Sequence, residues 1–488
     1  MASQYSLLPL FAVLTSLCAV PFIIFARSPN TREAVSFLAA GLKFAIVLSM
    51  LPAVLEGQKL VFTIVEVIPG APLQLRVDAF GMLFALVSSS LWILTTAYSI
   101  GYMRGLSEHA QTRYFCFFAL ALSATIGVAF SANLLTLYLF YEMLSLATYP
   151  LVTHHQDEDA RISGRKYLTY ILGTSIGLVL PAMVYVYHLT GNLEFSVFGV
   201  LAHKASGPVL AAVLFCFIFG FAKAAIMPFH AWLPAAMVAP TPVSALLHAV
   251  AVVKVGVFSI ARILLFTFGI RLLESFHLGT LVAYTASFTI IVASLIALSQ
   301  DELKRRLAFS TISQLSYIVL GVSLLTPKGI CGGLIHIAMH AFGKITLFFC
   351  AGAIFVATGK KYISEMAGIG RTMPVTMLCF FFGALSVIGL PPCGGFISKW
   401  YLALGTLQSQ QMVFLIVLLS SSLLNAMYFL PIVYHAFFMG TVSGEASENL
   451  IREAPTWCLV PIVATALGSI LLFFFPGIFL RLAALALQ

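Results

Sequence analysis

The sequence predicts an all-α polytopic membrane protein with about 14 transmembrane helices, and three observations predict it. Of the 488 residues, 61% are apolar, against about 45–50% in a typical soluble protein. Only 9% are charged, against about 25%. Mean hydropathy is +1.03, and apolar runs long enough to cross about 30 Å of hydrocarbon recur along the whole chain. The net charge of +9 belongs mostly to loops on one side and is not read as a nucleic-acid surface. No stretch reads as a soluble domain or a low-complexity tail.

In chain order the spans fall at 5–26, 34–55, 79–102, 114–131, 133–153, 167–189, 208–238, 241–267, 277–299, 305–325, 329–358, 374–408, 411–439 and 456–480. The first lacks the basic leader and small-residue cleavage site of a signal peptide, so it reads as a retained helix. Residues 58–77 differ: two β-rich runs flank a Pro69-Gly70 turn, the pattern of a surface hairpin. The seventh and twelfth spans are too long for one ordinary crossing, and each contains proline. In FGFAKAAIMPFHAWLPAAM, Lys223 precedes Pro228 and Pro234; in LSVIGLPPCGGFISKWYLAL, Pro391 and Pro392 precede Lys399. Proline removes a helix hydrogen bond, and in lipid the freed carbonyls survive only inside protein or along a cavity. By the span count these two broken helices run in opposite directions, which fits an inverted-topology repeat.

Loop charge sets the orientation. With the N-terminus outside, the inside loops hold 14 Lys and Arg residues and the outside loops 6, as the positive-inside rule requires. Both termini and the hairpin then face outside, in a multi-pass protein of a bacterial or archaeal plasma membrane. The Lys304–Arg306 cluster reads as an anchor at the inner surface, and Asp157–Glu158–Asp159 as solvated loop.

Ionisable residues inside the spans cost about 3 kcal/mol each on insertion scales, so their presence points to ion or proton paths. Glu142 sits in LLTLYLFYEMLSLATYPLV, where Tyr138, Glu142, Ser145 and Tyr149 share one helical face. The bland alternative is a carboxylate neutralised for packing. Lys223 and Lys254 are the amines whose charge such a carboxylate would modulate. Lys254 follows His248 by six residues, which is not one face of a regular helix. His336, His340 and Lys344 recur every fourth residue in LIHIAMHAFGKITLFF, and imidazole both accepts and donates protons near neutral pH. Metal binding is the rival reading, but no Asp, Glu or Cys nearby in sequence supplies a third ligand, so no metal is expected. Ser310, Ser313, Gln314 and Tyr317 form a hydroxyl-rich strip able to hold water. The eight cysteines form no CxxC or CxxxC pair and read as small hydrophobes. No Walker loop, dinucleotide fingerprint or nucleophile elbow is found in a suitable context, so no nucleotide or redox cofactor is expected.

The run KAAIMPFHAWLPAAMVAPTPVSALLHAVAVVKVGVFSIARI resembles the hallmark region of antiporter-like subunits of respiratory complex I, of Mrp-type cation/proton antiporters and of membrane-bound hydrogenases. ELKRRLAFSTISQLSYIVLG and HIAMHAFGKITLFFCAG match further parts of that pattern. The resemblance implies a single membrane domain: helices 1–3 with the hairpin in 1–110, inverted five-helix repeats in 111–270 and 275–440, and helix 14 in 455–488. It implies that Glu142 pairs with Lys223, that Lys254 is a central proton carrier with His248 beside it, and that His336, His340 and Lys344 relay protons along a hydrated axis. Lys399 would stand at an exit half-channel. The chain stops soon after the fourteenth span, without the long lateral helix of complex I subunit 5, so an Mrp D-like or hydrogenase-type module is expected. The expected function is a proton-translocating subunit working with other membrane subunits, with Na⁺ or K⁺ as the exchanged ion in the Mrp case. The alternatives are a stand-alone solute transporter, which would place a substrate cavity at the breaks, and a structural subunit with fixed ion pairs.

Overall fold

A chain crossing hydrocarbon must satisfy every backbone polar group internally, and helices dominate the computed structural model, which describes residues 3–202, 204–439 and 451–488. Among the described residues, ten helices are long and apolar enough to cross a membrane. α1 (Leu8–Phe25) and α2 (Pro29–Leu55) pack against α3 (Ala79–Gly105) and α4 (Gln111–Ala129). α5 (Leu134–Val152) starts at an Asn133 cap whose side chain accepts from the Thr136 N–H at 2.8 Å. α6 (Glu158–Thr190) carries a π-helical turn at Ser175–Val179. α7 (Gly207–Gly220) leads into the first break, and α8 spans 241–268. α9 (Leu278–Ser299), α10 (Leu303–Ser323) and α11 (Pro327–Thr358) follow. α12 (Pro374–Ile388) and α13 (Gly395–Gln408) are the two halves of the twelfth expected span. α14 (Met412–Phe438), α15 (Thr456–Phe474) and α16 (Gly477–Leu485) complete the chain. α11 is the hub, in contact with α3, α10, α12, α13 and α15. The perimeter is apolar, with Phe22, Phe25, Leu38 and Leu146 exposed.

The expected hairpin is β2 (Lys59–Ile68) and β3 (Ala71–Val77), antiparallel with Leu60 opposite Val77. The chain start adds β1 (Ser3–Tyr5), parallel to β2, and so covers an edge that would otherwise stay unpaired. Arg76 donates to the carbonyls of Ala132 (3.0 Å) and Phe195 (2.9 Å), fixing the sheet to two inter-helix loops. At the other terminus, Arg481 of α16 donates to the Leu55 carbonyl at 3.0 Å. Both ends of the chain and the sheet therefore lie at one end of the molecule.

One expectation needs correction, and one cluster makes contacts beyond its expected role. Asp157–Glu158–Asp159 is not loop: Asp157 caps α6 by accepting from the Ala160 N–H at 2.7 Å, and the other two carboxylates occupy the first turn, where the helix dipole favours them. The Lys304–Arg306 cluster does more than mark a surface. Lys304 donates to the Ala239 carbonyl at 2.7 Å, and Arg306 reaches the carbonyls of Gln300 (2.8 Å), Tyr428 (3.0 Å) and Leu298 (3.3 Å). Those of Ala239, Leu298 and Gln300 lie at helix ends, which leave carbonyls without partners, whereas Tyr428 lies within α14. All eight cysteines are free; six are buried, while Cys18 is exposed and Cys216 half-buried.

Both breaks occur where expected. After α7 the chain makes a 3-10 turn at Ala222–Ala224 and resumes at Trp232–Ala235. The polar groups freed there are taken up by neighbours. Thr174 Oγ1 donates to the Gly220 carbonyl at 3.0 Å, and the Trp232 indole to the Ala222 carbonyl at 2.9 Å. The Met227 N–H donates to Thr289 Oγ1 at 3.2 Å. In the twelfth span Gly389 takes φ of +91° at the end of α12, and the Gly394 N–H donates to the Ser469 carbonyl at 2.8 Å. α8 itself is irregular, with π-helical turns at Leu246–Val250 and Ile263–Phe268.

Gly256 lets α8 lie directly against the first break: a Cβ there would meet the Ala224 nitrogen at 2.1 Å and the Lys223 carbonyl carbon at 2.4 Å. Backbone cannot yield as a side chain does, so Gly256→Ala is expected to cost about 1–3 kcal/mol. The measurement is apparent Tm of the purified chain in detergent, and a variant as heat-stable as the wild type would contradict this close approach.

Candidate functional site

The site is a run of ionisable side chains through the interior. On α5 the two faces separate as expected: Leu139, Met143 and Leu146 are exposed, while Tyr138 and Ser145 are buried. Glu142 is partly buried between them, and both its carboxylate oxygens are shielded without a hydrogen-bond partner among the described residues. Lys223, in the 3-10 turn after α7, is fully buried. Its ammonium donates to the Tyr141 carbonyl and lies 3.3 Å from the Tyr141 ring centroid, and its backbone N–H donates to the Tyr141 hydroxyl at 3.2 Å. The amine thus rests one residue short of Glu142. The Glu142–Lys223 pair implied by the resemblance is not closed in this conformation, because the α5 backbone competes for the amine.

The second cluster is centred on α11. His336, His340 and Lys344 lie on one face and are all buried. Lys254 of α8 is 2.5 Å from His340 Nδ1. The rings of His340 and His336 stack at 5.6 Å, and His336 Nδ1 is 2.8 Å from Ser398 Oγ on α13. Tyr317 stacks on the other side of His336 at 5.7 Å, and the Lys399 ammonium lies 4.7 Å from the Tyr317 ring centroid. Lys399 is only partly buried and donates to the Ile388 carbonyl (3.0 Å), a group freed by the second break, and to Ser422 Oγ (3.1 Å). From Lys254 to Lys399 the contacts are continuous.

One turn along α11, Lys344 donates to the Leu307 carbonyl at 3.1 Å and to Ser310 Oγ at 2.8 Å. The Tyr428 hydroxyl is 3.0 Å from Ser310 Oγ and contacts Asn425. The expected hydroxyl strip on α10 is present but divided. Ser310 serves Lys344, Ser313 joins Ser294 (2.9 Å) and Ser421 (3.3 Å), and Tyr317 sits under Lys399. Among the described residues, Gln314 is buried with both ends of its amide unpaired, as are the Nε2 atoms of His336 and His340. Each such atom costs about 1–3 kcal/mol unless water reaches it. The His248 side chain lies outside the described residues. Its backbone is in the π-helical turn at Leu246–Val250, so the regular-helix spacing that separated it from Lys254 does not apply there.

Residues 131–425 match the family described as "NADH:quinone oxidoreductase/Mrp antiporter, TM". The chain belongs to that family. It is similar to NADH-quinone oxidoreductase subunit N of Desulforudis audaxviator (strain MP104C), with 31% identity over 480 residues, covering 96% of this chain and 94% of that protein. It is also similar to Na(+)/H(+) antiporter subunit A1 of Staphylococcus aureus (strain JH9), with 31% identity over 442 residues, covering 84% of this chain and 53% of that one. The chain thus spans nearly all of the first relative but about half the length of the second. Among solved structures, the Mrp complex from Dietzia sp. DQ12-45-1b shares the fold with a TM-score of 0.87 at 22% identity, covering 99% of this chain and 96% of that chain. The membrane-bound sulfane sulfur reductase, an archaeal respiratory membrane complex, matches with a TM-score of 0.86 at 25% identity and the same coverage.

Within this NADH:quinone oxidoreductase/Mrp fold, several polar residues were not singled out from sequence. Tyr141, Ser398, Asn425 and Tyr428 are partners whose roles depend on which helices meet. Lys43 on α2 is fully buried, 2.5 Å from Ser16 Oγ and 5.0 Å from the Trp92 ring centroid. The signal for it was an amine inside an apolar run, GLKFAIVLSML. Arg262 on α8 is likewise fully buried. It forms a bidentate pair with Asp78, with both contacts at 2.6 Å. Asp78 also caps α3 through the Gly81 N–H at 2.8 Å, so the pair clasps α8 to the start of α3 beside the sheet.

Burial alone would raise the Asp78 carboxyl, but the Arg262 guanidinium, with Arg76 and the Gly81 N–H, holds Asp78 below the ordinary carboxylate range. A depressed folded-state value stabilises at pH above the unfolded one and is lost as pH falls through the folded one. Asp78→Asn is therefore expected to cost about 3–5 kcal/mol at neutral pH by leaving Arg262 unpaired. Combining it with Arg262→Met should restore much of the loss. Apparent Tm compared across pH checks this: the gap between wild type and Asp78→Asn stays constant from about pH 5 to 8 and closes below about pH 4.

Proposed function

We propose that this chain is a proton-translocating, antiporter-like subunit of a multisubunit membrane complex, either an Mrp-type Na⁺(K⁺)/H⁺ antiporter or a quinone-linked respiratory assembly. The observation that carries this reading is the contiguous interior run Lys254–His340–His336–Tyr317–Lys399, built from four helices and closed off from lipid at its centre. Fixed ion pairs would place a carboxylate opposite each amine; here the partners of Lys254, Lys344 and Lys399 are imidazole, hydroxyl and carbonyl groups. Such partners accept from an ammonium and exchange readily with water. The unpaired atoms of Gln314, His336 and His340 offer water further hydrogen bonds along the same line.

In this reading, the amine of Lys223 moves between two resting places. On the Tyr141 carbonyl it is away from Glu142; swung one residue along α5 it would meet the carboxylate. Closing that pair favours the charged amine, and opening it favours release of the proton to the interior. Like charges in a medium of low dielectric repel strongly, so arrival of a proton at Lys254 favours departure from Lys344 or Lys399. Lys399, partly exposed beside the second break, is the outlet. The two broken spans, each with its lysine, are assigned to equivalent places in inverted repeats 111–270 and 275–440. The sheet and both chain ends, which share one end of the molecule, are assigned to the outside on the bias of loop charge.

The test is ion transport by the assembled complex in proteoliposomes, read with an internal pH dye. Lys254→Ala and Glu142→Gln are each expected to lower the rate by about tenfold or more, within the range for loss of a proton-transfer group, with assembly intact by gel filtration. Lys328→Ala, at the exposed start of α11, should leave the rate unchanged. Wild-type rates in both interior variants would sink the proposal.

A further inference from the structure

A second group of ionisable side chains lies away from the interior run, where the loop joining α3 to α4 meets the loop after α5. We propose that Glu108, His109 and His154 form a binding site for a zinc ion that staples these two loops together. The ligand atoms of the three all lie within 4.8 Å of one another. His109 Nδ1 is 3.9 Å and His154 Nε2 3.8 Å from the same carboxylate oxygen of Glu108. Tetrahedral zinc with bonds of about 2.0–2.1 Å sets its donors about 3.3 Å apart. The remaining closure falls to His109, the half-exposed member of the set.

Two further observations point to a ligand. The His154 side chain is fully buried, yet neither ring nitrogen has a hydrogen-bond partner among the described residues. A buried imidazole with both nitrogens unpaired is costly, and a metal bond at Nε2 removes half of that deficit. The other oxygen of Glu108 is held by His155 Nε2 at 3.4 Å, an arrangement that orients a ligating carboxylate. Of the nearby cations, Arg113 donates to the His154 carbonyl at 2.7 Å and Lys304 to the Ala239 carbonyl at 2.7 Å, so each is engaged with a backbone carbonyl. Two nitrogens and one oxygen suit zinc over calcium or magnesium. The exposed edge at His109 gives the ion its way in and leaves a fourth position for water.

This site is separate from the proton route, and its test does not need transport. The full chain, purified in detergent and stripped with EDTA, is titrated with Zn²⁺ against a fluorescent chelator. One equivalent bound per chain is expected, with affinity reduced by about tenfold or more in Glu108→Gln and in His154→Gln. Binding should be unchanged in His188→Gln, an exposed histidine of α6. Co²⁺ added to the wild type should give the intense visible absorption of a tetrahedral centre, a readout independent of whether any variant folds. Absence of Zn²⁺ binding, binding indifferent to Glu108 and His154, or a weak octahedral Co²⁺ spectrum would each overturn the assignment.

Discussion

An amine inside hydrocarbon must find a partner, and the interior is organised around that requirement. Lys43, Lys223, Lys254 and Lys344 are fully buried, and each ammonium meets an oxygen or nitrogen of a neighbouring element: Ser16, Tyr141, His340 and Ser310. Because those partners sit on different helices, satisfying the amines also fixes which helices touch. α8 is held to α11 through Lys254, and α10 to α11 through Lys344. Polar contacts here perform a task that hydrophobic burial cannot perform in lipid, where apolar surfaces have no preference for one another over acyl chains.

The broken helices are part of the same solution. A proline-interrupted span leaves carbonyls that would be costly in lipid, and lysines are suitable donors for them. Lys399 caps the Ile388 carbonyl released by the second break. At the first break the capping is done by Thr174 and Trp232, which leaves Lys223 available to α5. This difference places one lysine at a carbonyl of its own span and the other at the boundary with Glu142.

Much of this was legible in the sequence because hydropathy and the four-residue period both survive in membrane helices. His336, His340 and Lys344 share a face, as their spacing required, and the polar and lipid faces of α5 divide as its pattern indicated. The two broken spans were marked by proline and length. What escaped was contact between elements distant in the chain. Tyr141 meets Lys223 only because a 3-10 turn swings the amine there. Asp78 and Arg262 meet only because α8 ends beside the sheet, and Glu108 and His154 only because two loops converge. The acidic run at 157–159 was misread because a helix start and a solvated loop have the same composition. The spacing from His248 to Lys254 was judged on a period that its own helix does not keep.

A π-helical turn holds an extra residue relative to an α-helical one, and each residue of an α-helix advances the direction of its side chain by about 100°. The turn at Leu246–Val250 therefore works as a phase adjuster, offsetting everything before it from everything after it. Relaxation of that turn to α geometry would rotate one part of α8 against the other without any movement of the helix as a body. A twist of that kind would carry Lys254 off the His340 ring and undo the polar contact that joins α8 to α11.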